Sequence, residues 1–254
     1  MSLSEKHRPS RFDELWQWPE SPTLSIITRE ITQKKLQTPM LIRSNYGEGK
    51  TTLARIIGRR ACCRQTDQHS FEPCGCCDGC LNFQMNGPTS SCDFGYLEMD
   101  CTGWSASELR DIVLKNTIYT IFKSSLRRWV VCLDEIGRQP IAFQRQLLKL
   151  IENSRVHFIL CSGTDDSIDR ALSERCVIRP LSPPTPLQCQ AAVKRIAAAE
   201  GIQLHEAAVP LLVTRLGCNP RRILNALSTA ASLVNGAVGI QEINMALAMH
   251  TEGK

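Results

Sequence analysis

The run TPMLIRSNYGEGKTTLARIIGRRAC, residues 38–62, constrains this chain more than any other. Its first part, 38–44, is a short apolar segment of strand length. Its last part sets Leu53, Ile56 and Ile57 on one face at helical spacing. The turn between them fits G-x-x-x-x-G-K-[ST], with Gly47, Gly49, Lys50, Thr51 and Thr52 in place and Ser44 where the first glycine belongs. Glycines there let successive backbone N–H groups turn toward phosphate oxygens. Lys50 is then placed to reach the β- and γ-phosphates of a nucleotide, and Thr51 to hold Mg²⁺. A strand that feeds such a loop and a helix that leaves it imply an α/β fold.

The rest of the first two-thirds of the chain keeps that alternation. Strands are expected over 93–100, 127–135 and 155–162, and helices over 106–116, with Ser105 or Ser107 as cap, and 143–153. The strands are near-continuously apolar, which predicts a parallel sheet covered on both faces. The pattern changes at RPLSPPTP, 179–186, whose three prolines predict a linker. Beyond it only helical signals remain, over 186–200, 205–216, 220–233 and 240–249. The expected organisation is an α/β nucleotide-binding domain over 1–181 and a small all-helical domain over 182–254.

Two further motifs carry chemistry. WVVCLDE, 129–135, is an apolar strand ending in two acids, the Walker B pattern; Asp134 would bind Mg²⁺ and Glu135 would polarise an attacking water. The plain alternative, a strand ending in solvated acids, loses ground behind a phosphate loop. EPCGCCDGC, 72–80, gives Cys74, Cys77 and Cys80 the spacing C-x₂-C-x₂-C. A tetrahedral zinc site needs a fourth ligand, for which Cys62, Cys63, Cys76 and His69 are candidates. The chain has 13 cysteines and no export signal at its start, so metal binding and buried thiols are expected rather than disulfides. Cys132, Cys161 and Cys218 stand among apolar or small residues and are expected in the core. No apolar run reaches the roughly 18 residues of a membrane span. A formal charge of +5 hints only weakly at nucleic acid. A cytoplasmic location with no membrane partner is expected.

Together these motifs resemble the ATPase subunit of the bacterial DNA polymerase III clamp loader, tau/gamma, within the AAA+ superfamily. The resemblance covers nearly the whole chain. It implies an AAA+ P-loop parallel sheet with an inserted zinc module at 62–81, followed by a helical lid. KHRPSRFDEL, 6–15, resembles the family's segment beside the adenine, which puts Arg8 and Pro9 at the base; His7 stands where tyrosine is usual, and WQWPE replaces the usual Gly-Gln. The family's zinc module has one cysteine and then P-C-G-x-C-x-x-C, which implies Cys63, Cys74, Cys77 and Cys80 as ligands of a structural Zn²⁺ and leaves Cys76 spare. LSERC, 172–176, is similar to the S-R-C motif, with Glu174 in place of serine, and makes Arg175 an arginine finger for a neighbouring subunit. GCNPRRILNAL is similar to the sensor-2 segment, with Arg221 as the γ-phosphate contact and Arg222 as runner-up. Ser162-Gly163 stands at sensor 1, where a polar contact survives through Ser162.

The family also implies partners: other copies or related subunits in a ring, a sliding clamp or another DNA-acting partner, and DNA itself. Arg145 and Lys149, i and i+4 on the helix after Walker B, are the candidate DNA contacts, and the CTGWSAS stretch around Trp104 offers phosphate donors. Family members continue into a collar domain. This sequence reaches only the expected end of the lid, near residue 250, as a truncated or a shortened relative would. The expected function is therefore an ATPase that uses ATP and Mg²⁺ to remodel or load a DNA-associated assembly. A second reading is a collar-less regulator from a mobile element or defence system that controls a nuclease, transposase or helicase on DNA. A third is a nucleotide-bound scaffold with little turnover, which the intact Lys50, Thr51 and Asp134 count against.

Overall fold

The computed structural model describes residues 2–65, 70–86, 96–103, 105, 107–108, 129–152 and 156–251. The chain opens with α1 (Leu3–Lys6), a 3₁₀ turn (Phe12–Glu14) and α2 (Pro22–Thr32). Strand β1 (Met40–Arg43) leads through the glycine loop into α3 (Lys50–Cys62), and α4 (Asp78–Asn86) follows in the cysteine-rich excursion. Then come β2 (Tyr96–Asp100), β3 (Trp129–Asp134), the short helices α5 (Ile141–Gln146) and α6 (Leu148–Ile151), and β4 (Val156–Ser162). Helix α7 (Arg170–Glu174) and β5 (Val177–Pro180) complete this part. The C-terminal helices are α8 (Pro186–Ala199), α9 (Ala208–Leu216), α10 (Pro220–Ser232) and α11 (Ile240–Thr251).

The five strands form one parallel sheet in the order β2-β3-β4-β1-β5. Alternate side chains along each strand enter different cores. Leu41, Leu97, Val131, Leu133, Phe158 and Leu160 pack with Phe143, Leu147 and Leu172 from α5 to α7. Met40, Ile42, Val130, Cys132, Ile159 and Cys161 pack with Leu24 and Ile27 of α2 and Leu53, Ile56 and Ile57 of α3. Both faces are covered, so the strands are apolar on both sides, which is why they lack polar alternation. A third core lies among α8–α11.

Several expectations change. Residues 179–180 of the expected linker belong to β5, a strand the sequence reading missed because VIRP is short and ends in proline. It pairs with β1 through Met40↔Val177 to Arg43↔Pro180. Helix α2 was also missed, and the buried ion pair between its Glu30 and Arg179 ties it to β5. The helix expected over 143–153 starts at Ile141 and is interrupted at Leu147. The helix expected from 205 starts at Ala208. Cys132 and Cys161 are fully buried as expected, but Cys218 is only half-buried and takes φ +58 just past the end of α9. The N-terminal segment serves both parts of the chain, since Leu3 and Trp16 are buried in the core of α8–α11. Residues 109–116 of the expected helix, Trp104 and His69 lie outside the described residues.

Gly58 of α3 allows the tightest approach of that helix to the sheet: a Cβ there would meet the Tyr96 ring at 2.3 Å. The ring is 2% exposed and its hydroxyl donates to Glu98 at 2.9 Å, so it has little room to swing away. Alanine would gain about 1 kcal/mol of helix propensity, against roughly 1–3 kcal/mol or more for overpacking. Gly58→Ala is therefore expected to lower the urea midpoint; a raised midpoint would show that the ring yields.

Candidate nucleotide site and candidate metal centre

The glycine loop joins β1 to α3 at the carboxyl ends of the strands, where open α/β sheets bind ligands. Gly47 and Gly49 take φ +82 and +105, values that side chains resist. Ser44 is not among the described residues with positive φ; it extends the β1–β4 pairing, with its N–H 3.4 Å from Ser162 O. A serine in place of the first glycine therefore fits without backbone strain. Lys50 is buried and donates to the carbonyls of Ser44 and Asn45 at 2.9 and 3.1 Å, holding its ammonium under the loop.

Strand β3 delivers its two acids to the same place. The Thr51 hydroxyl donates to Asp134 Oδ2 at 2.6 Å. Glu135 takes φ +56, a left-handed conformation that costs a non-glycine residue about 1 kcal/mol or more. Its carboxyl lines the cavity beside the loop, and its Oε2 is buried without a hydrogen-bond partner. Burial pushes both carboxyls above the usual range. Glu98 adds to this for Asp134, and the neighbouring Asp134 does so for Glu135, while Lys50 pulls both back. A hydroxyl and a carboxylate in contact, with a second acid beside them, suit a hard divalent cation that keeps water ligands.

The opposite wall of the cavity is built from the N-terminal segment and α10. Arg8, Pro9, Leu15, Trp16, Gln17 and Arg221 line it together with Gly47, Gly49, Lys50, Thr51 and Thr52. Burial lowers the Arg8 pKa, as do the charges of Arg55 and Arg221, with Glu5 opposing them. Cations that repel one another around a cavity favour an anion within it. Asn219 joins α10 to the loop: its side chain caps the helix at Arg222 N, and its Nδ2 donates to Tyr46 O at 2.5 Å. Of the two sensor-2 candidates, Arg221 lines the cavity and Arg222 does not.

Two expected site residues lie elsewhere. Ser162 is buried and donates to Asp166 Oδ2 at 3.1 Å, so within this chain its hydroxyl is engaged one step back from the cavity. Arg175 is on the surface at the end of α7, paired with Glu152 at 2.8 Å rather than with Glu174. Arg145 pairs with Asp169, the residue that caps α7, at 2.9 Å, and Lys149 is exposed on α6. The sequence reading also missed a cluster beside Glu135. Tyr46 donates to Asp166 and accepts from Arg138, both at 2.9 Å. No motif announces it, since its members are 92 and 120 positions apart.

The cysteine excursion brings Cys63 to the three cysteines of the C-x₂-C-x₂-C run. The sulfurs of Cys63, Cys74, Cys77 and Cys80 all lie within 4.8 Å of one another. Cys63–Cys77 and Cys74–Cys80 are each 3.9 Å apart. Four thiolates bound about 2.3 Å from one tetrahedral centre sit about 3.8 Å from each other, so the set has the size of a metal site. Backbone N–H groups of Cys74, Cys77 and Arg64 point at three of the sulfurs at 3.3–3.4 Å, the bonds a thiolate ligand accepts. Burial opposes ionisation of Cys77, but the N–H donors of Arg64 and Cys80 bring its thiol down to about 6. Cys76 points outward, and Cys62 is half-buried with its thiol pushed up to about 12 by burial. Neither belongs to the set.

Residues 20–185 match the family described as DNA polymerase III, delta subunit. The DNA polymerase III subunit gamma/tau of Mycobacterium tuberculosis is 28% identical over 234 residues, covering 89% of this chain and 38% of that protein. Protein STICHEL-like 1 of Arabidopsis thaliana is 29% identical over 177 residues, 69% of this chain and 15% of that protein. The chain thus spans well under half the length of these relatives. Among solved structures, the Thermotoga maritima RuvB Holliday junction branch migration motor superposes with a TM-score of 0.62 at 18% identity, over 96% of this chain and 72% of that one. At that identity the likeness concerns the fold. With its strand order, its phosphate loop and its match over residues 20–185, the chain belongs to the DNA polymerase III, delta subunit family and is a clamp-loader-like AAA+ protein.

Proposed function

We propose that this chain is an ATPase that works like the motor subunit of a clamp loader, with ATP bound in the cavity between the glycine loop, the N-terminal segment and α10. The observation that carries this is the Thr51–Asp134 contact, with Lys50, Glu135, Arg8 and Arg221 around the same cavity. Mg²⁺ held by Thr51 and Asp134 would neutralise charge on the transferred phosphoryl group. Lys50 exchanges its loop carbonyls for phosphate oxygens, and Glu135 orients the attacking water. Arg8 and Pro9 face the base, and Arg221 reaches the γ-phosphate from the helical unit, which acts as a lid. In this reading residues 1–181 are the nucleotide-binding domain and 182–254 the lid. Ser162 senses the phosphate through Asp166. Arg145 and Lys149 face DNA, Arg145 by exchanging Asp169 for a backbone phosphate. The partners are other AAA+ subunits, DNA and a sliding clamp; the alternative of a mobile-element regulator is not favoured by the relatives.

The four-cysteine centre fits Zn²⁺ by donor type, number and spacing, and by the absence of an open position among its ligands. Apparent zinc binding in such modules is worth on the order of 10 kcal/mol, enough to hold the 62–81 excursion in one shape. Protein prepared without chelator is expected to carry one zinc per chain by elemental analysis. Cys77→Ser is expected to lose it and Cys76→Ser to keep it; full retention in Cys77→Ser would overturn the ligand set.

Lys50 contacts phosphate in the ground state, whereas Glu135 acts on water in the transition state. Lys50→Ala is therefore expected to weaken ATP binding in calorimetry. Glu135→Gln is expected to bind ATP normally and turn over at least roughly a hundredfold more slowly, the usual range for a positioned general base. Equal loss of affinity in both variants would refute the division of roles.

Arg175 is exposed and away from its own chain's cavity, as a residue that serves a neighbour must be. An arginine finger is worth roughly 10³–10⁵ in rate. Lys50→Ala and Arg175→Ala chains are each expected to be inactive alone and to regain part of the activity when mixed. Co-assembled mixtures that stay inactive would confine Arg175 to its ion pair with Glu152.

A further inference from the structure

One wall of the cavity is built from the N-terminal strap, residues 8–17, whose Gln17 also reaches the glycine loop at Glu48 O. Its cavity face is apolar at Pro9, Leu15 and Trp16, suited to a base rather than to phosphates. No strand holds this strap in place. Phe12 and Leu15 are buried beside α2 and α3, Trp16 is buried among the C-terminal helices, and Gln17 Nε2 donates to Glu48 O and Ser182 O at 3.2 and 3.3 Å; the middle of the strap is held by the cysteine excursion as well. The Glu72 carboxylate accepts the backbone N–H of Phe12 at Oε2 and of Asp13 at Oε1, both at 3.0 Å. These are the two donors at the start of the 3₁₀ turn, which has no carbonyl of its own to give them, and a carboxylate is the strongest acceptor a side chain can offer them. Beside it, Phe71 packs edge-on against Phe12 with ring centroids 5.9 Å apart and against Trp18 at 5.3 Å.

Residues 70–72 are anchored from behind. Arg60 of α3 donates from Nε and Nη2 to Ser70 O at 3.2 and 2.8 Å, and Glu72 N donates to Ser70 Oγ at 3.1 Å. Two positions after Glu72 comes Cys74, within the four-sulfur set. Residues 70–72 therefore form a short rigid bridge, with α3 and the cysteine cluster at one end and the strap at the other.

We propose that Glu72 and Phe71 are positioning residues that hold the base-side wall of the nucleotide cavity, so that an ordered cysteine module raises affinity for an adenine nucleotide without changing recognition of its phosphates. The inference rests on the ATPase reading and deepens it. It gives the module a task at this chain's own site: closing the four-sulfur cluster fixes Glu72, Glu72 fixes Phe12 and Asp13, and these fix the Leu15–Gln17 wall. Affinity for the nucleoside part and the integrity of the metal centre are then coupled.

The test compares ATP with inorganic tripolyphosphate, which has the phosphates but no base, by calorimetry on the full chain with Mg²⁺. Glu72→Ala is expected to weaken ATP about tenfold, the size of losing a charge-assisted contact. Tripolyphosphate affinity should stay within about twofold, and the metal content should be unchanged. Glu72→Gln, which keeps one acceptor oxygen, should recover part of the loss and guards against a misfolded alanine variant. Asp78→Asn, in the same module but with an exposed side chain paired to Arg64, should bind both ligands as the wild type does. Equal weakening of ATP and tripolyphosphate would reduce Glu72 to a general stabiliser and overturn the proposal. ATP affinity unchanged in Glu72→Ala, beside a wild type that binds ATP, would overturn it too. A wild type that binds neither ligand would instead sink the ATPase reading beneath it.

Discussion

The hydrogen bond from Thr51 to Asp134 ties together the ends of two strands that are not neighbours. Thr51 lies in the first turn of α3, after the glycine loop that leaves β1, and Asp134 ends β3; β4 lies between β1 and β3 in the sheet. The bond is possible only because all five strands run parallel and end at one edge, so that a loop from β1 can reach over β4. That order in turn needs helical crossovers long enough to cover both faces, and the two apolar cores are the consequence. The cavity beyond the contact is built by what remains free to cover the edge: the N-terminal strap on one side and α10 on the other.

The parts of this arrangement legible in the sequence are those in which chemistry demands a short local pattern. Lys50 and Thr51 follow a glycine because a phosphate loop must turn there. Asp134 and Glu135 follow an apolar run because a buried strand must carry them to the carboxyl edge of the sheet, beside the glycine loop. Cys74, Cys77 and Cys80 keep C-x₂-C spacing because one turn of chain returns each sulfur to a common centre, although Cys63 was assigned through a resemblance and not by spacing. Helices α8 and α10 carry their own start signals, Thr185-Pro186 and Asn219-Pro220. The same signal, Ser21-Pro22, opens α2 and went unread.

What the sequence did not reveal depends on separations that only the fold sets. β5 is four residues long and holds its place by pairing with β1 and by Arg179 meeting Glu30, 149 positions away. The Tyr46–Asp166–Arg138 cluster and the Glu72 contacts to Phe12 and Asp13 have no signature, because each member is an ordinary polar residue until the chain returns. The contacts of the N-terminal segment with the helical part have no signature for the same reason: Ser4 bonds Asn225, His7 bonds Glu200, and Leu3 and Trp16 enter the helical core, so this segment touches both parts of the chain.

That bridging position matters for how a nucleotide would act on the molecule. The strap and α10 face each other across the cavity, and each brings an arginine, Arg8 and Arg221, whose charges repel. Arg8 is paired with Glu5, and the Asn219–Tyr46 and Ser4–Asn225 bonds and the buried Trp16 hold α10 and its neighbours against the rest of the chain. A triphosphate between the arginines reverses the sign of the interaction, since both cations then attract the same charge. A ligand can shift a conformational equilibrium only by its differential affinity for the two states, and two arginines on opposing elements provide that difference. Loss of the γ-phosphate would remove the contact nearest Arg221 first. The helical unit would then be released while the base side stays held by the strap and, behind it, by Glu72 and the cysteine module. In the ATPase proposed above, the two ends of the cavity would have separate tasks: the glycine loop and α10 would respond to the phosphates, and the strap would keep the nucleotide in register while they do.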